Sequence, residues 1–277
     1  MAKQYKKKDG GKNLFVIVTV VIALAVMVGA YLFLSSNSAT TADGFKNGPK
    51  NMPNDTITIG QDFKAETAEG VKAGTTFEPA KYEAREDGKT TVRIFIDPQC
   101  PVCGIFEETN KDLIDQYLNE GKIVVDYSVL SFLDEASTTA YSSRATNALA
   151  CVADQSPDNF YGFLANLYSN QPEEGTSGLT NKVIYSLAQD AGVPATDDMA
   201  TCITSKQYSA WVEESTNRAL EGPIVDVNSG TVTGTPTVFL NGEKIEIAPD
   251  DAAGFKAALD SAIAGQPTAT TEDAIVG

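Results

Sequence analysis

The chain has 277 residues, 42% of them hydrophobic, with no histidine and a formal net charge of −16. That length accommodates one sizeable domain plus appendages. The acidic balance excludes nucleic acid as a partner, because a phosphate-binding surface needs a basic patch.

Five lysines and one aspartate stand among the first twelve residues, which leaves −20 for everything after them. The uncharged run from Leu14 to Leu34 then supplies 21 residues, enough to cross a bilayer as a helix. Lysines ahead of the span hold the N-terminus in the cytoplasm and send the remainder out. A cleaved signal peptide would have a shorter apolar core, ~7–15 residues, ending at a small-x-small site, and Thr40-Thr41-Ala42 is a weak one. The expectation is a single-pass cell-membrane protein with a retained anchor and an extracytoplasmic domain. All four cysteines fall on the exported side, where disulfides persist.

The predicted organisation is a cytoplasmic N-terminus (1–13), an anchor (14–34), a flexible tether (35–55), a domain split between 56–136 and 223–265, an inserted helical domain (137–222) and a flexible tail (266–277). The tether is rich in Ser, Thr, Ala, Asn, Gly and Pro and poor in large apolar residues, the composition of an unpacked linker. Short strands are expected at Thr56–Ile59 and Thr75–Glu83.

Thr91 to Ile96 has the β-branched and aromatic content of a buried strand. Asp97 and Pro98 make a turn, and Cys100-Pro101-Val102-Cys103 opens a helix whose apolar side carries Phe106, Leu113, Ile114, Tyr117 and Leu118. This setting suits thiol–disulfide chemistry, since unpaired N–H groups and the positive end of the helix dipole stabilise a thiolate at the first cysteine. Pro101 occupies the first helical position, where its missing N–H is no loss. A zinc half-site would need two more ligands at metal spacing, and Cys151 and Cys202 stand far from the pair and from each other. An inert structural disulfide seldom starts a helix directly after a core strand. Redox chemistry is the reading, with no metal and no cofactor.

Gly121 ends the helix as a C′ residue, and Lys122 to Leu130 reads as a second buried strand, completing a βαβ unit with parallel strands. Helical periodicity follows near 138–153, 158–169, 180–191 and 197–220, with Asp158 and Thr180 as N-caps. Phe160, Tyr161, Phe163, Tyr168 and Trp211 are expected to pack this block, and the acid pairs Glu173-Glu174, Asp197-Asp198 and Glu213-Glu214 to be solvated. Fifty residues lie between Cys151 and Cys202; bridging them would restrict the unfolded chain by about 4 kcal/mol. The alternative is a second redox or relay pair. Downstream, Asn241-Gly242 between apolar runs signals a hairpin. Pro236 directly before a core strand is explained by a cis Thr235–Pro236 bond. A last helix spans about Asp250–Ala264.

The phrase Phe-Ile-Asp-Pro-Gln-Cys-Pro-Val-Cys, joined with Gly-Thr-Pro-Thr-Val-Phe-Leu-Asn-Gly far downstream, resembles the DsbA-like thiol–disulfide oxidoreductases of the bacterial envelope. These are thioredoxin folds with a helical insertion, an α/β class; the resemblance covers roughly residues 85 to 265. It implies Cys100 as exposed nucleophile, Cys103 as buried resolving thiol, and Pro236 as the cis-proline facing them. Pro101 and Val102 would support the site, and the Thr235 backbone would pair with an extended substrate segment. Membrane-anchored Gram-positive and actinobacterial members carry an extra disulfide, which Cys151 and Cys202 resemble. The implied partners are unfolded secreted or surface proteins with free cysteines and a membrane quinone-linked reoxidant; the enzyme would be a monomer. Two departures stand out. Many relatives have a buried acid six positions before the first cysteine, where this chain has Ile94, and strongly oxidising relatives often have histidine between the cysteines. The expectation is therefore a milder oxidant; Glu107, one turn after Cys103, is expected to face solvent, the alternative being that it substitutes for the missing acid.

Overall fold

The structure is a computed structural model describing residues 47–265 except 73, 74, 76–79, 223 and 229. The N-terminus (1–13), the anchor (14–34), most of the tether and the tail (266–277) lie outside the described residues. Among the described residues no helix is long and apolar enough to cross a membrane.

Five strands form one sheet in the order β1-β3-β2-β4-β5: β1 Ile57–Ile59, β2 Thr90–Ile96, β3 Ile123–Val129, β4 Thr237–Leu240 and β5 Glu243–Ile245. The β2–β3 pair is parallel and the other pairs are antiparallel. Between β2 and β3 runs α1, Pro101–Asn119, so the expected βαβ unit is present. Five helices separate β3 from β4: α2 Tyr141–Gln155, α3 Phe160–Ser169, α4 Asn181–Asp190, α5 Asp197–Ser205 and α6 Ser209–Glu221. The last helix is α7, Ala252–Ala264, started by the Asp251 carboxylate accepting from the Gly254 N–H at 2.8 Å.

Every residue of β2 is buried, as a central strand covered on both faces requires. Alternation along the strand divides its side chains. Val92, Ile94 and Ile96 enter a large cluster with Phe106, Ile114 and Leu118 of α1, Phe255 of α7 and the buried faces of α2–α6. Phe95 points the other way, into a smaller cluster with Leu130, Val227, Val232 and Phe239. Gly121 has φ +65°, the left-handed conformation that ends α1 and turns the chain into β3. At the β4–β5 hairpin Asn241 and Gly242 both have positive φ, as a tight two-residue turn demands. A Cβ on Gly242 would lie 2.3 Å from the Tyr82 side chain.

Thr180 caps α4, its hydroxyl accepting from the Val183 N–H. Phe160, Tyr161, Phe163 and Trp211 are buried, and Glu173, Glu174, Asp197 and Asp198 are exposed. Four local expectations are corrected. Asp158 caps nothing: it lies in a 3-10 turn before α3 and pairs with Lys64 at 2.9 Å. The predicted helix 197–220 is two helices, because Lys206 takes a left-handed conformation at the end of α5. No strand is seen at 80–83, which is irregular, and 76–79 fall outside the described residues. Residues 47–55, assigned by composition to the tether, are packed. Met52 is buried, Asn51 Nδ2 donates to the Ala153 carbonyl at 2.8 Å, and Asp55 accepts from Trp211 Nε1 at 2.9 Å and Arg218 Nε at 2.7 Å. Their partners are about a hundred residues or more away, so nothing local announces this packing.

Candidate active site

The site forms where β2 hands over to α1. Cys100 is the N-cap residue of α1 and Pro101 its first helical residue, an arrangement that turns the first N–H groups of the helix towards Cys100. The Cys103 and Gly104 amides both donate to the Cys100 carbonyl, at 3.1 and 3.2 Å. Both cysteines are free thiols. Opposite them, the Thr235–Pro236 bond is cis, and the Cys100 thiol donates to the Thr235 carbonyl at 3.3 Å. Cys100 is only 5% exposed. The expectation of an exposed nucleophile is thus corrected: the loop before β4 covers the sulfur.

The two thiols are tuned in opposite directions. The Cys103 thiol, set against the cost of burial, holds Cys100 down at about 6; the Thr235 side chain and the N–H groups of Cys103 and Val102 assist. Burial pushes Cys103 well above the ordinary thiol range, and the neighbouring Cys100 adds to it. The Thr235 hydroxyl is buried with no other hydrogen-bond partner, so it is available to a thiolate. Val102 and Ile105 stand out from the start of α1, 42% and 44% exposed, forming an apolar border beside the dithiol. A groove on the other side of the cis-proline is lined by Phe106, Thr233, Pro236, Ile245 and Pro249.

Sequence reasoning missed the second layer. Asp97, read as a turn residue, is fully buried. Its carboxylate accepts from the Gln99 N–H (2.8 Å), the Ser142 hydroxyl of α2 (2.6 Å) and the Leu133 N–H (3.1 Å). Burial raises it to about 7, against the pull of these donors. Glu107, expected to face solvent, is 6% exposed; α3 lies over α1 and closes that side. Burial raises its carboxyl to about 7, and its Oε1 has no hydrogen-bond partner. Tyr168 donates to the Asp97 carbonyl at 3.3 Å, and Gln171 Nε2 to the carbonyls of Pro98 and Cys100, each at 2.9 Å. The one available signal was an acid directly after a buried strand, three residues before a cysteine.

Cys151 and Cys202 form a disulfide between α2 and α5, with Cα atoms 6.0 Å apart, and both are fully buried. Asn147 reaches this bridge, its Nδ2 donating to the Cys202 carbonyl at 3.3 Å. Among the described residues no group of three or more histidine, cysteine, aspartate or glutamate side chains is placed to hold a metal ion.

Comparison with known proteins agrees with this geometry. A thioredoxin family model matches residues 85–261. The serine/threonine-protein kinase PknE of Mycobacterium tuberculosis is 33% identical over 155 residues, 54% of this chain but 26% of the kinase. The chain therefore spans about a quarter of the length of that curated relative. Among solved structures, the reduced disulfide bond oxidoreductase DsbG of M. tuberculosis is 28% identical with a TM-score of 0.57, over 79% of this chain and 94% of that one. Reduced M. tuberculosis DsbA is 27% identical with a TM-score of 0.56, over 78% and 95%. The matched segment holds both the cysteine pair and the cis-proline loop, and this chain belongs to the thioredoxin family.

Proposed function

We propose that this protein is an extracytoplasmic disulfide oxidase that passes the Cys100–Cys103 disulfide to cysteines of secreted or surface proteins. The observation that carries the reading is the placement of two free thiols at the start of α1 against the cis Thr235–Pro236 bond, with Cys100 3.3 Å from the Thr235 carbonyl; in this setting Cys100 is held at about 6 and burial pushes Cys103 well above the ordinary range. A thiol that ionises near 6 is a good leaving group and stabilises the reduced enzyme, which makes the disulfide form an oxidant.

In the cycle, a substrate thiolate attacks the Cys100 sulfur of the oxidised pair. The Cys100–Cys103 bond breaks, Cys103 takes up a proton, and substrate is left joined to Cys100. A second substrate thiolate attacks the substrate sulfur of that mixed disulfide and expels Cys100 as its thiolate. Two electrons have then moved from the substrate dithiol to the enzyme pair. The Thr235 backbone pairs with the extended substrate segment, between the Val102–Ile105 border and the groove beyond Pro236. A membrane quinone-linked partner removes the two electrons and restores the disulfide. The monomer is held at the membrane by 14–34, and the lysine-flanked apolar run supports that placement. Cys100 near 6 stands closer to a thioredoxin thiol, ≈ 7, than to the strongest oxidants, ≈ 3.5. The reduction potential is therefore less oxidising than ~−120 mV.

The test is oxidative refolding of a reduced, unfolded disulfide protein by the oxidised chain, beside Cys100→Ala. Catalysis that disappears in the variant supports the oxidase. Acceleration of disulfide reduction in the presence of added thiol, without oxidation, reverses the direction to a reductase or isomerase. Neither reaction depending on Cys100 would leave a peptide-binding module.

A further inference from the structure

Asp97 is the buried group in closest register with the dithiol that the exchange cycle itself does not use. Its carboxylate is anchored outside the thioredoxin-like βαβ unit, to Ser142 of α2 at 2.6 Å and to the Leu133 N–H of the turn after β3 at 3.1 Å. Its main chain faces inward: the Cys100 N–H donates to the Asp97 carbonyl at 2.9 Å, and the Asp97 backbone is among the groups that pull the Cys103 thiol down against burial. One residue thus touches the inserted helices with its side chain and Cys100 with its backbone.

We propose that Asp97 is a positioning residue that ties the reactivity of the Cys100 sulfur to the inserted helices, through the Ser142 and Leu133 anchors. It rests on the reading of Cys100–Cys103 as the redox pair. Two physical effects act in the same place. The anchors hold the Asp97–Cys100 turn, and hence the Cys100 sulfur, at the mouth of α1. The Cys100 thiolate, which forms first, is a like charge for the Asp97 carboxyl and helps it keep its proton, and the carboxylate, once charged, opposes the thiolate in turn. The titratable groups that interact with Asp97 are Cys100 of α1, Tyr168 of α3 and Tyr141 of α2; Cys103 and Glu107 act on Tyr168, and Arg144 on Tyr141. Asp134, next to Leu133, is turned instead to the Ser143 N–H. The guanidinium of Arg144 is taken by the carbonyls of Thr139, Ser177 and Leu179 and the side chains of Thr139 and Asn181. With no cation paired to it, Asp97 keeps its proton to about 7, next to a thiol that loses its own at about 6. Groups this close titrate as a pair, in two macroscopic steps.

The experiment is thiolate absorbance of the reduced full chain as a function of pH, together with its reduction potential. Cys103 ionises far higher, so the signal near neutrality belongs to Cys100, and Cys100→Ala must remove it; if it does not, the assignment of the redox pair fails rather than the role of Asp97. In the wild type the Cys100 signal is spread over two steps. Asp97→Asn is expected to leave a single step, at the lower of the two wild-type ones, and to make the potential more oxidising. Ser142→Ala keeps the carboxyl but removes a donor from its charged form, so the upper step moves to higher pH. A folded Asp97→Asn chain with the wild-type curve and potential overturns the proposal. Should Asp97→Asn not fold, a wild-type curve from Ser142→Ala overturns it equally.

Discussion

The chain's two cysteine pairs have the same chemistry available and opposite environments. Cys151 and Cys202 sit inside α2 and α5, fully buried and bonded to each other across the helical block. Cys100 and Cys103 sit at the mouth of α1 as free thiols beneath the cis-proline loop. A sulfur in a helix interior meets amides already committed to the helix, whereas one at the N-cap meets unpaired N–H groups and the positive dipole end. Reactivity here follows from the groups that face each sulfur: at Cys100 the Cys103 thiol first, then the Thr235 side chain and two N–H groups at the helix start. Burial alone does not decide it, since Cys100 is only 5% exposed and still ionises at about 6.

The largest expected effect separates the pairs outright. Replacing Cys151 and Cys202 together by alanine opens a loop with a sequence separation of 51 and should lower stability by about 4 kcal/mol. In thermal unfolding that appears as a fall of roughly 10 °C. The pH profile of Cys100 alkylation should be unchanged; a profile that moved would mean the two pairs are coupled.

A smaller effect concerns the acid one turn after Cys103. Burial raises Glu107 from 4.5 to about 7. The unfolded chain therefore releases this proton near 4.5 while the folded chain holds it to about 7, so stability falls as pH rises across that window. Glu107→Gln should match the wild type in denaturant unfolding below the window and exceed its stability above it. Equal stability at both ends would show that Glu107 is hydrated in the folded state. The smallest effect sharpens the view of the thiolate itself. Thr235→Val removes a hydroxyl that lowers the Cys100 value, and the alkylation midpoint should rise by less than about one pH unit. No rise would assign the stabilisation to Cys103 and the helix amides alone.

Much of this molecule is legible in local pattern. The β2 strand, the dithiol at the start of α1, Gly121, the Thr180 cap and the Asn241-Gly242 turn each depend on a few neighbouring residues, and each is where the sequence puts it. Asp158 and Lys206 show the limit even locally. A competing ion pair with Lys64 occupies the first, and a left-handed residue breaks a helix whose periodicity runs straight through it.

Local pattern therefore accounts for the thioredoxin-like order of elements and for a cysteine pair at the start of α1, because periodicity, turn chemistry and helix-start chemistry act over a few residues. Tertiary structure alone decided the surroundings of that pair. Asp97 is a buried carboxylate only because Ser142 and Leu133 reach it from elsewhere. Glu107 is buried only because α3 covers its side of α1, and residues 47–55 are packed only because Ala153, Trp211 and Arg218 receive them. Desolvation and buried hydrogen bonding depend on which distant segments arrive at a residue, and no window of sequence contains that information.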